Sequence, residues 1–197
     1  WQAQLTTYRC GVVADANGRN PRVVTSQKGH YAVPQFSPDG TLIVFEKRQG
    51  GYLTAPEYSD NPGIYSVPAP GGTMQLVSRE GADPQFGAAN DRLFLSVSEG
   101  GKLQLVSIDL DGEDKRVHAI GELANDFRVA PDGKTVAFRQ NYEVFAMPMM
   151  PGGKPVDVGE KGGALPVARV SKGGADYIGW SRGGAQLNWS IGAQVKT

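Results

Sequence analysis

Four segments of this sequence superpose without gaps, and that repetition restricts the fold more than any other feature. They are PQFSPDGTLIVF (Pro34 to Phe45), PQFGAANDRLFL (Pro84 to Leu95), FRVAPDGKTVAF (Phe127 to Phe138) and IGWSRGGAQLNW (Ile178 to Trp189). One apolar column holds Phe36, Phe86, Val129 and Trp180. Seven residues on stand Ile43, Leu93, Val136 and Leu187, and nine on stand Phe45, Leu95, Phe138 and Trp189. The last two columns differ by two, the strand period, so their side chains share one face. Between the first column and the second lies a turn: Ser-Pro-Asp-Gly at 37–40, Gly-Ala-Ala-Asn at 87–90, Ala-Pro-Asp-Gly at 130–133 and Ser-Arg-Gly-Gly at 181–184. Proline presets φ at the second place in two copies, and Gly or Asn tolerates positive φ at the last. Each segment reads as a β-hairpin, a–b.

A second hairpin, c–d, also recurs four times. Its copies are Tyr8–Val13 with Arg22–Thr25, Ile64–Val67 with Met74–Ser78, Leu103–Ile108 with Lys115–Ala119, and Tyr142–Met147 with Pro155–Val158. The turns fall at Asn17-Gly18, Pro70-Gly71-Gly72, Asp111-Gly112 and Pro151-Gly152-Gly153. Four strands every 43 to 51 residues imply an all-β fold, a β-propeller of about four blades of four antiparallel strands. Gly 27 and Pro 13 suit many short strands joined by tight turns. The chain opens on a c–d half-blade and closes on an a–b half-blade, which predicts one blade split between the N- and C-termini. The expected pairing is Tyr8–Val13 with Gln186–Ser190, within one chain or across a homodimer. Residues 1–197 are read as a single propeller domain or a propeller fragment.

The SPDG-type turn, recurring in register, resembles the TolB-like, or WD40-like "PD40", propeller family. The resemblance spans nearly the whole chain. The stretch LPVARVSKGGADYIGWSRGGAQLNWSIG, Leu165 to Gly192, is similar to the last propeller stretch ahead of the catalytic domain in TolB-propeller amidohydrolases. That likeness implies a non-catalytic scaffold or binding module in a larger hydrolase, periplasmic or secreted, linked to its catalytic domain or serving a protein partner. A free-standing TolB-like interaction module is the alternative. An amidohydrolase needs a His-x-His pair and further His and Asp ligands, so its chemistry would lie beyond Thr197. Opening on Trp1 rather than Met, the sequence reads as a processed chain or a piece of a longer one.

GWSRGG, Gly179 to Gly184, matches the G-x-S-x-G elbow of serine hydrolases and resembles that of propeller-bearing prolyl oligopeptidases. Ser181, however, occupies the turn column of Ser37 and Ala130. An elbow is followed by a helix, and here a strand pattern follows, with no Asp or His in 182–197. The repeat turn is the expected role, and a peptidase fragment the lesser alternative. No catalytic residue, cofactor site or metal site is expected. His30, His118 and Cys10 are scattered, and a calcium loop counted from Asp109 would need Gly at its sixth place and Glu at its twelfth, where Asp114 and Ile120 stand. The lone Cys10 reads as a small apolar strand residue.

Lys+Arg 20 balances Asp+Glu 20, with no basic run, which argues against nucleic-acid binding. No apolar run is long enough for a membrane helix. The candidate binding element is the long b–c link at Arg48 to Gly63. It carries Tyr52, Glu57, Tyr58 and Asp60, residue types suited to an interface. The glycine-rich stretch from Gly159 to Gly174 is a second candidate, able to cradle an anion on backbone N–H groups.

Overall fold

The structure, a computed structural model, describes residues 10–27, 29–49, 60–150, 152, 154–159 and 163–197, together with the backbone of a strand at 2–4. All four a–b hairpins form. They are β4 (His30–Phe36) with β5 (Leu42–Arg48), β8 (Ala82–Phe86) with β9 (Arg92–Glu99), β12 (Ala124–Val129) with β13 (Thr135–Gln140), and β17 (Tyr177–Ser181) with β18 (Gln186–Ile191). The first blade adds β6 (Gly63–Pro68) and β7 (Gln75–Ser78) in the order β4-β5-β6-β7. The second adds β10 (Lys102–Asp109) and β11 (Arg116–Gly121), and the third adds β14 (Glu143–Pro148). The protein is an all-β propeller of four blades, each led by one repeat hairpin, with a further small sheet before the first.

The repeat columns decide which side of a blade faces which neighbour. Ile43 and Phe45 pack with Val13 and Val24 of the preceding sheet. Leu93 and Leu95 pack with Val44 and Ile64 of the first blade. Val136 and Phe138 pack with Leu105 and Ala119 of the second. Trp189, with Leu187 beside it, packs against Ala137 and Val144 of the third. Columns seven and nine thus look back, and the residue between them looks forward. Of the aromatic and aliphatic positions expected between blades, Phe45, Phe86, Leu95, Phe138 and Trp189 are buried, while Phe36 and Trp180 are partly so.

Two strand assignments are corrected. The split blade does not form. β2 (Val12–Ala14) and β3 (Arg22–Val23) take β1 (Gln2–Gln4) as third strand, with Gln4 opposite Val12. β18 takes β19 (Gln194–Lys196), with Ile191 opposite Gln194. Each half-blade fills its open edge from a segment only a few residues away, and short loops close at lower entropic cost than a pairing across the chain. Tyr8 and Arg9 of the expected pairing lie outside the described residues.

The second correction concerns β15 (Val156–Val158), expected as the outer strand of the third blade. It crosses to the second blade and runs parallel to β11, pairing Ala119 with Val156 and Gly121 with Val158. Gly121 permits the approach: a Cβ there would come within 2.4 Å of the Ala124 Cβ and 3.3 Å of Val158 Cγ2. The move buries Val158 in the core between the second and third blades. The third blade's edge goes to β16 (Ala168–Arg169), which pairs Arg169 with Phe145.

Candidate binding surface

Each inner strand runs toward its a–b turn and strand b returns, so the starts of the inner strands and the b–c links share one face. Asp60 lies there, exposed, at the end of the long link; Tyr52, Glu57 and Tyr58 fall outside the described residues. The link's return is pinned from below. Tyr65 donates its hydroxyl hydrogen to the Asn61 carbonyl at 2.6 Å. Lys47, on the inward face of β5 and only 3% exposed, donates to Gln27 Oε1 at 3.3 Å and sits 5.6 Å over the Tyr65 ring. Burial lowers the Lys47 pKa, and the Asp60 charge opposes that shift.

Beside this root runs a row of charges across three blades. Glu46 and Arg48 of β5 form a two-point pair at 2.9 and 3.2 Å. β-Bulges break the three inner strands β4, β8 and β12 near the same repeat position. In β8 the bulge places Asp83 at φ 52. Arg128 then stands between two carboxylates, with Nη2 3.2 Å from Asp126 Oδ1 and 3.7 Å from Asp83 Oδ1. Desolvation raises the Asp126 pKa; Arg128 opposes this and Asp83 adds to it. The Arg48 pKa is raised, first by its bond to Glu46 and more weakly by the Asp83 charge. Arg139 of β13 donates Nε–H to Asn125 Oδ1 at 2.9 Å and reaches the Asp176 carbonyl at the fourth blade. The row alternates in sign and is partly solvated, which suits recognition of a charged protein surface rather than bond-breaking.

The opposite face carries the a–b turns, and adjacent turns touch. Asp39 N–H donates to Asn90 Oδ1 at 3.2 Å. A Cβ on Gly133 would meet the Ala88 Cβ at 3.3 Å, and one on Gly184 the Asp132 backbone nitrogen at 3.1 Å. Within the first turn Ser37 donates to Asp39 Oδ1 at 2.6 Å, the largest cause of the lowered Asp39 pKa. Ser181 begins the fourth turn. Its Oγ accepts from Asn188 Nδ2 at 2.8 Å, an amide that cannot serve as a base. A single 3-10 turn, Arg182–Gly184, follows and then strand β18, not the helix an elbow requires. His30 lies in β4, and His118 lies in β11 bonded to Ser107, so neither histidine joins Ser181.

The remaining sequence candidates are filled internally. Asp109 Oδ1 accepts the Asp111 and Glu113 N–H groups at 3.2 and 2.7 Å, which closes the c–d turn. The glycine-rich loop does cradle an anion, the chain's own Glu143. Its Oε1 accepts from Gly173 and Gly174 N–H at 2.9 and 3.2 Å and pairs with Arg169 at 2.7 Å. Ser171 donates to Oε2 at 2.5 Å. These contacts, the Ser171 bond foremost, hold the Glu143 pKa at about 2. Among the described residues no group of three His, Cys, Asp or Glu could hold a metal ion, and no helix is long and apolar enough to cross a membrane. Sequence reasoning missed the charged row. Its members sit beside the repeat columns on different blades, and the bulges in β8 and β12 lie next to Asp83 and Asp126; the Asp83-Pro84 pair is the one signal in the sequence.

No family model matches this chain, and no curated protein matches its sequence. Solved structures do. TolB from Acinetobacter baumannii superposes with a TM-score of 0.66 at 19% identity, over 94% of this chain and 44% of that one. A putative TolB from Agrobacterium tumefaciens aligns with a TM-score of 0.34 at 13% identity, over 84% of this chain and 83% of that one. A functionally unknown protein from Desulfotomaculum acetoxidans DSM 771 gives 0.42 at 14%, over 91% and 71%. The last two superpose too loosely to bear on the argument. This chain therefore spans less than half the length of the Acinetobacter TolB. Four repeat-led blades and that superposition together make the fold a TolB-like β-propeller.

Proposed function

We propose that this chain is the non-catalytic propeller of a larger TolB-propeller amidohydrolase, periplasmic or secreted, acting as scaffold and binding module. The observation that carries the binding role is the charged row Glu46–Arg48–Asp83–Arg128–Asp126 beside the pinned end of the long link. Ser181 fixed by Asn188 supports placing the hydrolytic chemistry elsewhere. The hydrolase parent rests on the resemblance of Leu165 to Gly192.

The test is to isolate the native protein with an antibody raised against this chain and to measure its mass, metal content and sequence. A polypeptide well above 21.0 kDa, metal-bearing and with a His-x-His segment after Thr197, is the expected result. A free 21.0 kDa species that co-purifies with another protein, lost on Arg48→Glu with Arg128→Glu, would replace the parent hydrolase by the free-standing interaction module. A free species with no partner would refute both.

A further inference from the structure

We propose that His118 is a proton-sensitive latch that holds the β15 clasp on the second blade and releases it on acidification. The clasp leaves the third blade after β14, passes Met149 and Met150, and ends in the parallel pairing of Val156–Val158 with β11. It is the one parallel pairing among the described strands, and it adds a backbone ladder between two blades that are also joined by side-chain packing, the Gln85 bonds and the Asp83–Arg128 pair.

His118 lies on β11, beside the residues that pair with the clasp. Its Nδ1 is 3.3 Å from the Met150 carbonyl oxygen, and its Nε2 is 2.7 Å from Ser107 Oγ. A carbonyl only accepts, so Nδ1 carries the hydrogen and Nε2 presents a lone pair. Ser107 must then donate to Nε2. That direction fits its other contact, since Arg92 Nε donates to Ser107 Oγ at 3.2 Å. The chain of donors runs one way: Arg92 to Ser107 to His118 to Met150. The Phe94 ring packs on the imidazole at 5.3 Å between centroids.

A proton added at Nε2 from solvent reverses one link of this chain. Ser107 Oγ would then face two donors, and its own hydrogen would lose its acceptor. Ser107 is 0% exposed, so water cannot replace that acceptor cheaply. The charged groups around the ring are Arg92 of β9, Arg116 of β11 and Asp114 of the turn between β10 and β11. Asp114 pairs with Arg92 at 2.7 Å and Arg116 at 2.5 Å and so is already committed to both. Burial is the largest cause of a lowered His118 pKa. The Met150 bond opposes it, and the two arginines add to it.

The sign follows from linkage. The closed clasp holds His118 below the ordinary value of 6.5, so the open form binds the proton more tightly. Closure is complete above about pH 6.5 and weakens as pH falls through and below it. Each unit of depression makes opening about tenfold more favourable across the titration.

The experiment follows amide hydrogen exchange of the full chain from pH 7.5 to 5.0, corrected for intrinsic rates, with the His118 ring titrated by NMR in parallel. A His30→Gln variant separates the two ring signals. The expected result is a loss of protection in peptides covering 149–158, at least about threefold relative to the β9–β10 hairpin, with a midpoint at the His118 pKa. His118→Asn, which keeps a donor for Met150 but does not titrate, should make that ratio independent of pH. Should this variant fail to fold, the wild-type comparison alone decides. Clasp protection that stays constant relative to β9–β10 while His118 ionises would overturn the proposal. So would a His118 pKa at or above 6.5, or an unchanged pH dependence in a folded His118→Asn.

Discussion

Replacing Glu143 by Gln tests whether the glycine-rich loop is held by charge. The carboxylate gathers two backbone N–H groups, the Ser171 hydroxyl and the Arg169 guanidinium, and its pKa falls from 4.5 to about 2. At about 1.36 kcal/mol per unit, the full shift corresponds to roughly 3 kcal/mol of preference for the folded state. The side chain is 15% exposed and its Arg169 partner 47%, so solvent screens part of this, leaving about 1 to 2 kcal/mol. The folded pKa is depressed. The contribution is therefore present in full above about pH 4.5 and lost as pH falls toward 2. Urea melts of both proteins at pH 7 and pH 2.5 provide the assay. At pH 7 the Gln variant should lose about 1 to 2 kcal/mol, or roughly 2 to 8 °C in Tm. At pH 2.5 most of the gap should close, because Glu143 is then protonated in the unfolded chain and unfolding takes up a proton that offsets the native charge contacts. Equal midpoints at pH 7 would refute the charge argument, and a gap unchanged at pH 2.5 would assign the loss to shape instead.

Phe138 is fully buried between Phe127 and Phe145, with ring centroids 6.1 and 5.3 Å away, so Phe138→Ala should cost about 3 to 5 kcal/mol in denaturant melts. Gln85 spans from the second blade to the third, donating to the Phe127 carbonyl at 2.8 Å and accepting the Val129 N–H at 2.9 Å. Gln85→Leu leaves both backbone groups buried and unpaired and should cost about 2 to 4 kcal/mol; a loss below about 0.5 kcal/mol would contradict the bridge. A fluorophosphonate probe should leave Ser181 unlabelled, since no base contacts it; stoichiometric labelling abolished by Ser181→Ala would restore the nucleophile.

What the sequence displayed was what repeats. Phe45, Leu95, Phe138 and Trp189 recur at one register because each fills the same gap between sheets, and burial enforces that register on all four copies. The turns were equally visible: Gly40 and Gly133 adopt φ of 73° and 70°, the conformation for which glycine is chosen. The missed pairings have no such signature. β1, β15, β16 and β19 are two or three residues long, too short for a side-chain period to stand out, and their pairing uses backbone bonds that any residue can make. Val156 and Val158 alternate as a strand should, yet the pattern suits either blade; only the space over Gly121 selects the second. The long link stands out by composition alone, and of Tyr52, Glu57, Tyr58 and Asp60 only Asp60 is among the described residues, where its charge acts on Lys47.

The same forward-facing column explains why the two terminal half-blades were not complementary. Between columns seven and nine stand Val44, Phe94, Ala137 and Asn188. Val44 packs into the core shared with the second blade, Phe94 into that with the third, and Ala137 into that with the fourth. Asn188 instead donates to Ser181 across its own hairpin. Register places Gly179, Gln186 and Ser190 on that same side of the fourth blade, with Tyr177 at 78% exposure. The side is polar, so packing it against a sheet as the other blades pack would strand hydroxyl and amide groups without partners. At the other end, Val12 pairs with Val23, which is 59% exposed, so that sheet turns an apolar surface away from the first blade. An apolar surface gains nothing from a polar one that it must desolvate. Ring closure between these two faces would forfeit the burial that stabilises every other blade contact in the protein, and the local strands β1 and β19 satisfy the open backbone edges without that loss.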